Sequence, residues 1–339
     1  MTDNRLERFA AKLVRLPRVG LTRLPTPLEP LHRLTDHLGG PRIWVKREDC
    51  SGFGFGGNKL RKLDYVLAEA SDADTLVSGG VVQSNSSRQV AAAAAKLGLD
   101  CHLAVYHGRL KPPGPVYETS GNIALNRLFG ATLHDVPWTG DRNRAIEDLA
   151  RDLHSQGRKP YIVPYGVSSG LGAAGYASAA LEIAQQAATE NFAPSAVVHC
   201  SGSGATQAGL AVGAAACLPE CAVIGIDIDA EPDRVRADVV RYATAAAEML
   251  DEPFDAARID VVAGHAGPAY GVPHQATLDA IKLMGRLEAL ALDPVYSGKG
   301  LAGLIALIET GRWTPDDDIV FVHTGGAPAL FAYPDIYSN

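Results

Sequence analysis

A lysine that follows a glycine-rich loop is the residue of this 339-residue sequence best suited to covalent chemistry. Lys59 comes after residues 51–58, which include four glycines, and it opens a segment with helical periodicity. The positive end of a helix dipole disfavours a charged ammonium, and burial readily lowers the pKa of a lysine. A neutral amine forms Schiff bases with carbonyl compounds. The pattern therefore indicates a covalent carbonyl site, although a solvated lysine on a first helical turn would have the same spacing.

A second polar loop precedes another helical segment. Residues 83–87 are all polar, and they follow two glycines that end a short apolar run. Backbone amides and hydroxyl groups at a helix N-terminus bind anions. A substrate carboxylate and a phosphate are equally suitable ligands. Plain N-capping by Ser84 or Asn85 is the alternative, but one cap requires only one such side chain.

A third loop, residues 201–206, also lies between an apolar run and a helical segment. Its glycines expose backbone amides, and the hydroxyl groups of Ser203 and Thr206 add further donors. This combination fits a phosphate group.

The same loop partly matches a dinucleotide-binding fingerprint. Gly202 and Gly204 supply its first two glycines, but Gln207 replaces the third. Asp227 and Asp229 lie near the distance expected for a ribose-binding acid. A nicotinamide-dependent oxidoreductase is therefore an alternative, but it leaves Lys59 unexplained. No lysine follows the glycines, which disfavours a nucleoside triphosphatase.

The elements that must position these loops alternate between strands and helices. Short apolar runs separated by helical patterns predict an α/β fold with parallel sheets and helices on both faces. In such folds the loops at the carboxyl ends of the strands bind ligands. The strands are predicted at residues 42–46, 75–78, 101–106, 131–136, 161–164, 196–200, 222–228 and 318–323. The helices are predicted at residues 59–70, 84–97, 121–129, 142–156, 175–189, 206–217, 232–250, 275–290 and 302–309.

Composition narrows the class of protein. The length suggests two domains, and the formal charge of −7 gives no reason to expect nucleic acid or a membrane surface as a partner. The sequence lacks both an apolar run long enough to span a bilayer and a secretory signal. The five cysteines are scattered and odd in number, and the Cys217–Cys221 pair lacks nearby histidines, which favours reduced thiols in a cytoplasmic protein with no metal site.

Several motifs occur together in a recognisable order: GGNKxRKL at 56–63, QSNxxRQ at 83–89, DPVYxGK at 293–299 and HTGGAPAL at 323–330. In this set the chain resembles the fold-type-II pyridoxal-phosphate enzymes of the 1-aminocyclopropane-1-carboxylate deaminase and D-cysteine desulfhydrase family, which also holds L-cysteate sulfo-lyase. The resemblance runs from about residue 24 to residue 332.

The resemblance implies a tryptophan-synthase-β-like fold of type II, with two open, twisted, mainly parallel sheets and helices on both faces. It implies a large cofactor-binding domain of residues 1–61 plus 169–339 and a smaller inserted domain, residues 62–168, on the substrate side. Glycine-rich segments 166–175 and 52–57 are candidate joints between them. A homodimer that acts on a small amino acid is also implied.

The resemblance further assigns residues to the cofactor, pyridoxal 5′-phosphate. Lys59 would carry it covalently, Asn85 would hydrogen-bond its ring oxygen, and Thr324 would lie near its ring. The residues expected to cradle its phosphate are Ser203, Gly204, Ala205 and Thr206.

Substrate contacts are implied in the same way. The residues expected to meet the amino acid are Gln83, Ser84, Asn85 and Ser86. Tyr270 and Tyr296 would face the substrate, and with Lys59 and Ser84 they form the expected catalytic set.

Two positions favour one reaction within the family. Ser297 stands where the deaminases have a glutamate that holds the pyridine proton, and Thr324 stands where they have leucine. The desulfhydrases resemble this chain at both places. A hydroxyl partner leaves the ring nitrogen largely unprotonated, which suffices for β-elimination and suits cyclopropane opening less well. We therefore expect pyruvate, ammonia and the β-group as products, with the deaminase and sulfo-lyase reactions as alternatives.

Two segments depart from the family. Ser86 stands where the desulfhydrases usually have histidine and the deaminases glutamine, and residues 107–117 match neither group. Arg109 or Lys111 in that segment could meet an anionic substituent, but a solvated side chain is the simpler interpretation.

Overall fold

The computed structural model describes residues 4–337, apart from the side chains of residues 335 and 337. The strands are β1 (Leu28–Pro30), β2 (Arg42–Arg47), β3 (Thr75–Val81), β4 (Asp100–His107), β5 (Thr132–Pro137), β6 (Pro160–Ile162), β7 (Ala196–Ser201), β8 (Ala222–Asp227), β9 (Asp260–Val262) and β10 (Asp318–His323). The helices are α1 (Asn4–Val14), α2 (His32–Leu38), α3 (Asn58–Val66), α4 (Asn85–Leu97), α5 (Gly121–Leu128), α6 (Arg144–Ser155), α7 (Gly170–Thr189), α8 (Ala205–Cys217), α9 (Pro232–Leu250), α10 (Gln275–Glu288) and α11 (Ser297–Glu309).

The larger sheet has six strands in the order β1-β2-β10-β7-β8-β9. Every neighbouring pair is parallel except β1 with β2. All side chains of β7 and β10 are buried, as expected for central parallel strands that are covered on both faces. Phe321 of β10 lies opposite Val45 of β2 and Val198 of β7, so the middle of the sheet is apolar.

The smaller sheet has four parallel strands in the order β5-β4-β3-β6. Its central strand, β3, continues three residues beyond the predicted 75–78, through Gly79 and Gly80. A Cβ atom at Gly80 would lie 2.3 Å from the Ser84 Oγ atom. Glycine there lets the strand end pass close to the start of α4.

Small residues bring α7 and α8 close together. A Cβ atom at Gly209 would lie 2.2 Å from the Ala173 carbonyl oxygen, and one at Gly213 would lie 2.6 Å from that of Ala177. Any larger residue at these two positions would force the helices apart. The alanine-rich sequence of these helices is therefore explained by packing.

A buried ion network fixes α3, the helix that carries Lys59. The Arg61 guanidinium donates to both carboxylate oxygens of Glu48, at 2.6 and 2.8 Å, and to both of Glu182, at 2.8 and 3.0 Å. Lys46 Nζ also donates to Glu182, at 2.8 Å. Arg61, Glu48 and Lys46 are fully buried. The network ties α3 to β2 and α7.

The expected fold class is confirmed: two mainly parallel sheets are enclosed by helices. Two helices begin five residues earlier than predicted. Helix α7 begins at Gly170 because Ser169 Oγ accepts a hydrogen bond from the Gly172 amide at 3.0 Å, so residues 170–175 of the expected glycine-rich joint are helical. Helix α11 begins at Ser297 and includes three glycines. Within residues 4–337, none of the helices combines the length and the apolar character needed to cross a membrane.

Candidate active site

The three loops identified from the sequence meet at one cavity. It lies at the carboxyl ends of β3 and β7, beside the first turns of α3, α4 and α8. Ten of the twelve expected site residues line it: Lys59, Ser84, Asn85, Ser86, Ser203, Gly204, Thr206, Tyr270, Tyr296 and Thr324. The lining does not include Gln83 or Ala205.

Lys59 occupies the second position of α3 and is half-buried at the cavity. Burial lowers the pKa of its ammonium group, which favours the neutral amine. The amide of Asn58 donates to the Thr324 carbonyl oxygen at 3.0 Å, which holds the start of the helix against the loop after β10. Lys59 therefore has the protonation tendency and the position that Schiff-base formation with an aldehyde requires.

A second lysine lies one helical turn later. Lys62 is fully buried, and its Nζ atom donates to the Gly166 carbonyl oxygen at 2.9 Å. Burial, reinforced by the positive charge of Lys59, holds the pKa of Lys62 well below its usual range. Sequence reasoning did not assign Lys62 a part in the site; its three-residue spacing from Lys59 on a helix was the available signal.

The loop after β7 presents donors for an anion. Ser203 Oγ accepts a hydrogen bond from Ser168 Oγ at 2.9 Å, and Thr206 Oγ1 accepts one from Asn58 Nδ2 at 2.9 Å. Gly204 has a φ of +87°, and its chain passes so close to α9 that a Cβ atom would lie 3.0 Å from the Val239 nitrogen. The loop leads into the N-terminus of α8, whose dipole favours negative charge.

In the polar loop after β3, some polar groups are hydrogen-bonded within the protein and others can bind a ligand. Ser84 Oγ accepts a hydrogen bond from the Ser87 amide at 3.1 Å, so Ser84 does cap α4 while it lines the cavity. Asn85 Oδ1 accepts a hydrogen bond from Asn122 Nδ2 at 2.8 Å, which leaves the Asn85 amide nitrogen as the donor for a ligand. Among the described residues Ser86 Oγ is buried without a hydrogen-bond partner.

Gln83, in contrast, has its hydrogen bonds within the protein. Its Nε2 atom donates to the carbonyl oxygens of Tyr117 and Ser120, at 2.6 and 2.8 Å. Its Oε1 atom accepts from the Asn122 amide at 2.9 Å. The buried side chain thus stabilises the loop and does not line the cavity. A substrate contact was expected from Gln83, and the structure does not provide it.

Tyr270 and Tyr296 form a hydrogen-bonded pair through their hydroxyl groups. Their rings meet edge to face, with centroids 6.0 Å apart. Burial raises the pKa of both phenols well above the usual range, so both remain protonated at neutral pH. The pair can therefore donate or relay a proton, while a phenolate is strongly disfavoured.

The two positions that distinguish family members have different surroundings. Thr324 lines the cavity, and its Oγ1 atom lies 3.2 Å from Cys200 Sγ. Ser297 is fully buried and donates to Asp293 Oδ2 at 2.8 Å; it does not line the cavity. Only Thr324 is thus placed to meet a ligand directly.

Three charged residues of the lining complete the site. Arg109, from the divergent segment 107–117, is largely buried at the cavity, whereas Lys111 is exposed. Arg142 was not expected as a site residue, and Asp229 was considered only as a ribose-binding acid. Asp229 accepts hydrogen bonds from Arg109 and Arg142, so it is not placed as a ribose ligand. The sequence had marked Arg109 only as a possible contact for an anionic substituent, and no local motif marked Arg142.

The residues of the cavity fit a phosphorylated aldehyde. A half-buried lysine with a lowered pKa lines the same cavity as a helix N-terminus suited to a phosphate. Ser201 Oγ and Ser86 Oγ lie at the cavity and have no hydrogen-bond partner among the described residues. These are unsatisfied polar atoms that a polar ligand would satisfy.

Comparison with known proteins agrees with this geometry. Residues 19–325 match the family described as pyridoxal-phosphate dependent enzymes. The chain belongs to that family, and its cofactor is pyridoxal phosphate. This membership removes the support for a nicotinamide-dependent oxidoreductase.

Individual relatives show which members of this family the chain is similar to. The chain is 45% identical to a 1-aminocyclopropane-1-carboxylate deaminase of Burkholderia vietnamiensis, over 96% of this chain and 99% of the relative. It is 44% identical to a D-cysteine desulfhydrase of Yersinia pestis, over 95% and 97%. The crystal structure of an ACC deaminase homologue aligns with a TM-score of 0.88 at 32% identity, over 97% of each chain. A threonine deaminase at 23% identity and a TM-score of 0.64 shares the fold.

Proposed function

We propose that this enzyme catalyses β-elimination from a small β-substituted amino acid, releasing pyruvate, ammonia and the β-group. One observation carries the proposal: where the ring nitrogen would lie, the lining offers the Thr324 hydroxyl and the Cys200 thiol and no carboxylate. Among the described residues that line the cavity, Asp229 is the one carboxylate, and arginines hold it. An uncharged partner supports loss of a good leaving group better than opening of a strained ring.

The proposed cofactor contacts follow from the lining. Lys59 Nζ would bind the aldehyde carbon, and the Asn85 amide nitrogen would donate to the ring oxygen. The phosphate would lie at the start of α8, against Ser203, Gly204 and Thr206. Ala205 would contribute only through its backbone at the helix N-terminus. Bound pyridoxal phosphate supplies an electron sink that stabilises negative charge at the substrate Cα atom.

The protein's own groups would then move the protons. Ser84, Asn85 and Ser86 would bind the substrate carboxylate at the start of α4, where the helix dipole favours an anion. Lys59 Nζ, once free and neutral, would take the Cα proton as general base. The hydrogen-bonded phenols of Tyr270 and Tyr296 would adjust the protonation of the lysine or donate to the leaving group.

The test is a pyruvate-release assay of the loaded enzyme with D-cysteine, L-cysteate, D-serine, β-chloroalanine and 1-aminocyclopropane-1-carboxylate. We expect release from one or more β-substituted alanines. A 2-oxobutanoate product from the cyclopropane substrate, with no pyruvate from any of the others, would contradict the proposal.

1-Aminocyclopropane-1-carboxylate deamination is the second candidate, because relatives with that name are as similar to this chain as the desulfhydrases are. L-Cysteate sulfo-lyase activity is a variant of the main proposal. The same assay separates the three.

We further propose a cofactor-binding domain of residues 1–61 plus 169–339 and an inserted domain of residues 62–168. This division is supported by the sheets, because the four strands of the smaller sheet all lie within 62–168. Homodimer formation and a cytoplasmic location complete the proposal; light scattering and cell fractionation test them.

A further inference from the structure

The charged side chains that line the cavity are mostly basic. Four charged side chains line it among the described residues: Lys59, Arg109, Arg142 and Asp229. Lys59 would bind the cofactor. Among the other three, the guanidinium groups of Arg109 and Arg142 share the carboxylate of Asp229. Asp229 is also paired with Arg234, which is not part of the lining, so one carboxylate is divided among three arginines. Arg142 also lies 3.8 Å from Glu231, and Arg234 pairs with Glu231 and Asp238, so the excess of positive charge is confined to the lining itself, with its two guanidinium groups and one carboxylate.

Arg109 is held rigidly. Its guanidinium carbon lies 3.9 Å from the ring centroid of Tyr270 and 4.7 Å from that of Trp138. Its Nη2 atom donates to Asp229 Oδ1 at 2.7 Å, and its Nη1 atom donates to the Tyr165 hydroxyl at 3.3 Å. A guanidinium has five N–H donors, so these two contacts within residues 4–337 leave donors for a ligand.

Arg109 lies beside the tyrosine pair that we propose to face the substrate. It stacks on Tyr270, whose hydroxyl is bonded to that of Tyr296. Arg142 approaches the same carboxylate from the other side, with its Nη2 atom 2.8 Å from Asp229 Oδ2. The side chains of Arg109 and Arg142 are only 10% and 18% exposed, so water screens their charges weakly.

We propose that Arg109 and Arg142 recognise a tetrahedral oxyanion on the β-carbon of the substrate, a sulfonate or a phosphate. This inference rests on the proposed β-elimination and specifies its substrate class. Guanidinium groups match such oxyanions in shape and bind them through paired hydrogen bonds.

The elimination places the new charge beside these arginines. The Cα proton passes to Lys59 Nζ, a double bond forms between Cα and Cβ, and the bond from Cβ to sulfur or to the ester oxygen breaks. Its electron pair leaves with the group, as sulfite or phosphate, so the group gains one negative charge. Fixed cations near that group stabilise the transition state more than the ground state.

The experiment compares wild type with Arg109→Gln and Arg142→Gln, each loaded with the cofactor. The substrates are both enantiomers of cysteate and O-phosphoserine, with uncharged β-chloroalanine as the reference. Arg144→Gln is the matched control, because Arg144 lies on α6 two residues after Arg142 and its exposed side chain pairs with Asp148. Cysteate and O-phosphoserine distinguish the sulfonate from the phosphate.

We expect kcat/KM for the preferred oxyanion substrate to fall by about tenfold to a hundredfold in Arg109→Gln and Arg142→Gln, as for loss of a charged hydrogen bond. β-Chloroalanine should change by less than about threefold, within the usual effect of a neutral contact. Binding of 2-amino-3-phosphonopropionate, which cannot eliminate, should weaken similarly when followed by the absorbance of the bound cofactor. Arg144→Gln should behave as wild type.

Two results would overturn this inference but not the proposed function. The first is an equal loss of kcat/KM for charged and uncharged substrates, and the second is a loss of cofactor affinity as the main effect in both variants. The second would assign the arginines to the cofactor phosphate. Wild-type enzyme that eliminates β-chloroalanine but neither cysteate nor O-phosphoserine would also overturn the inference and leave the proposed function standing. Failure with every β-substituted alanine would overturn the proposed function itself.

Discussion

The side-chain oxygen of Thr324 lies 3.2 Å from the sulfur of Cys200, where the parallel strands β10 and β7 end side by side. Burial raises the pKa of the thiol to about 12, so the pair is uncharged at neutral pH. A ligand nitrogen at this end of the cavity would meet neutral groups. The preference for β-elimination depends on this contact.

Replacement of Thr324 by valine tests that contact. Thr324→Val keeps the shape of the side chain but removes its hydroxyl group, and we expect kcat for pyruvate release to fall by about fivefold to tenfold. The absorbance maximum of the bound cofactor should also shift. Thr310→Val, at an exposed helix end, is the control and should leave both unchanged. An unaltered spectrum and kcat in Thr324→Val would show that the hydroxyl does not contact the ring.

Removal of the amine at position 59 should abolish covalent attachment of the cofactor. In Lys59→Ala we expect loss of the visible absorbance that borohydride bleaches in wild type, together with loss of turnover. Lys96→Ala, which alters an exposed lysine at the end of α4, should retain both. Residual turnover at the wild-type level in Lys59→Ala would refute the role of this lysine.

The buried His199 should make the protein sensitive to acid. Burial lowers the pKa of its imidazole from 6.5 to about 4. Between these pH values the unfolded chain binds a proton that the folded protein does not, so stability decreases as the pH falls through this window. Between pH 7 and pH 4, the free energy of unfolding should therefore decrease by about 3 kcal/mol less in His199→Asn than in wild type.

Urea denaturation of the cofactor-free protein at several pH values measures this difference. His154→Asn is the control, because His154 is exposed near the end of α6. Its pH dependence should match that of wild type. Parallel curves for His199→Asn and wild type would show that His199 does not resist protonation.

The ion network around Arg61 should dominate the stability of α3. Arg61→Leu leaves Glu48 and Glu182 without their main partner, and an unpaired buried charge costs about 3–5 kcal/mol. We expect a loss of that size in the free energy of unfolding by urea. Arg144→Leu on the surface of α6 should change it by less than about 0.5 kcal/mol. A similarly small effect in Arg61→Leu would mean that water or rearrangement replaces the network.

Local patterns were sufficient for most of the fold. Long buried strands such as β7 and β10 and periodic helices such as α9 were predicted nearly to the residue, because hydrophobic burial determines them. The three-residue strands β1 and β9 and the helices α1 and α2 were not predicted. A three-residue strand carries almost no periodicity of its own, and it exists because a neighbouring strand pairs with it.

For the site, the sequence by itself indicated Lys59 as the candidate covalent residue and the loops that approach it, since glycines and hydroxyl residues at strand ends have a local chemical meaning. Tertiary structure alone decided which side chains face the ligand. Gln83 and Ser297 have motif positions as strong as those of Asn85 and Thr324, yet both turn inward to buried partners. The pairing of Arg109 with Asp229, 120 residues away along the chain, depends on how the two sheets pack, which no local pattern encodes.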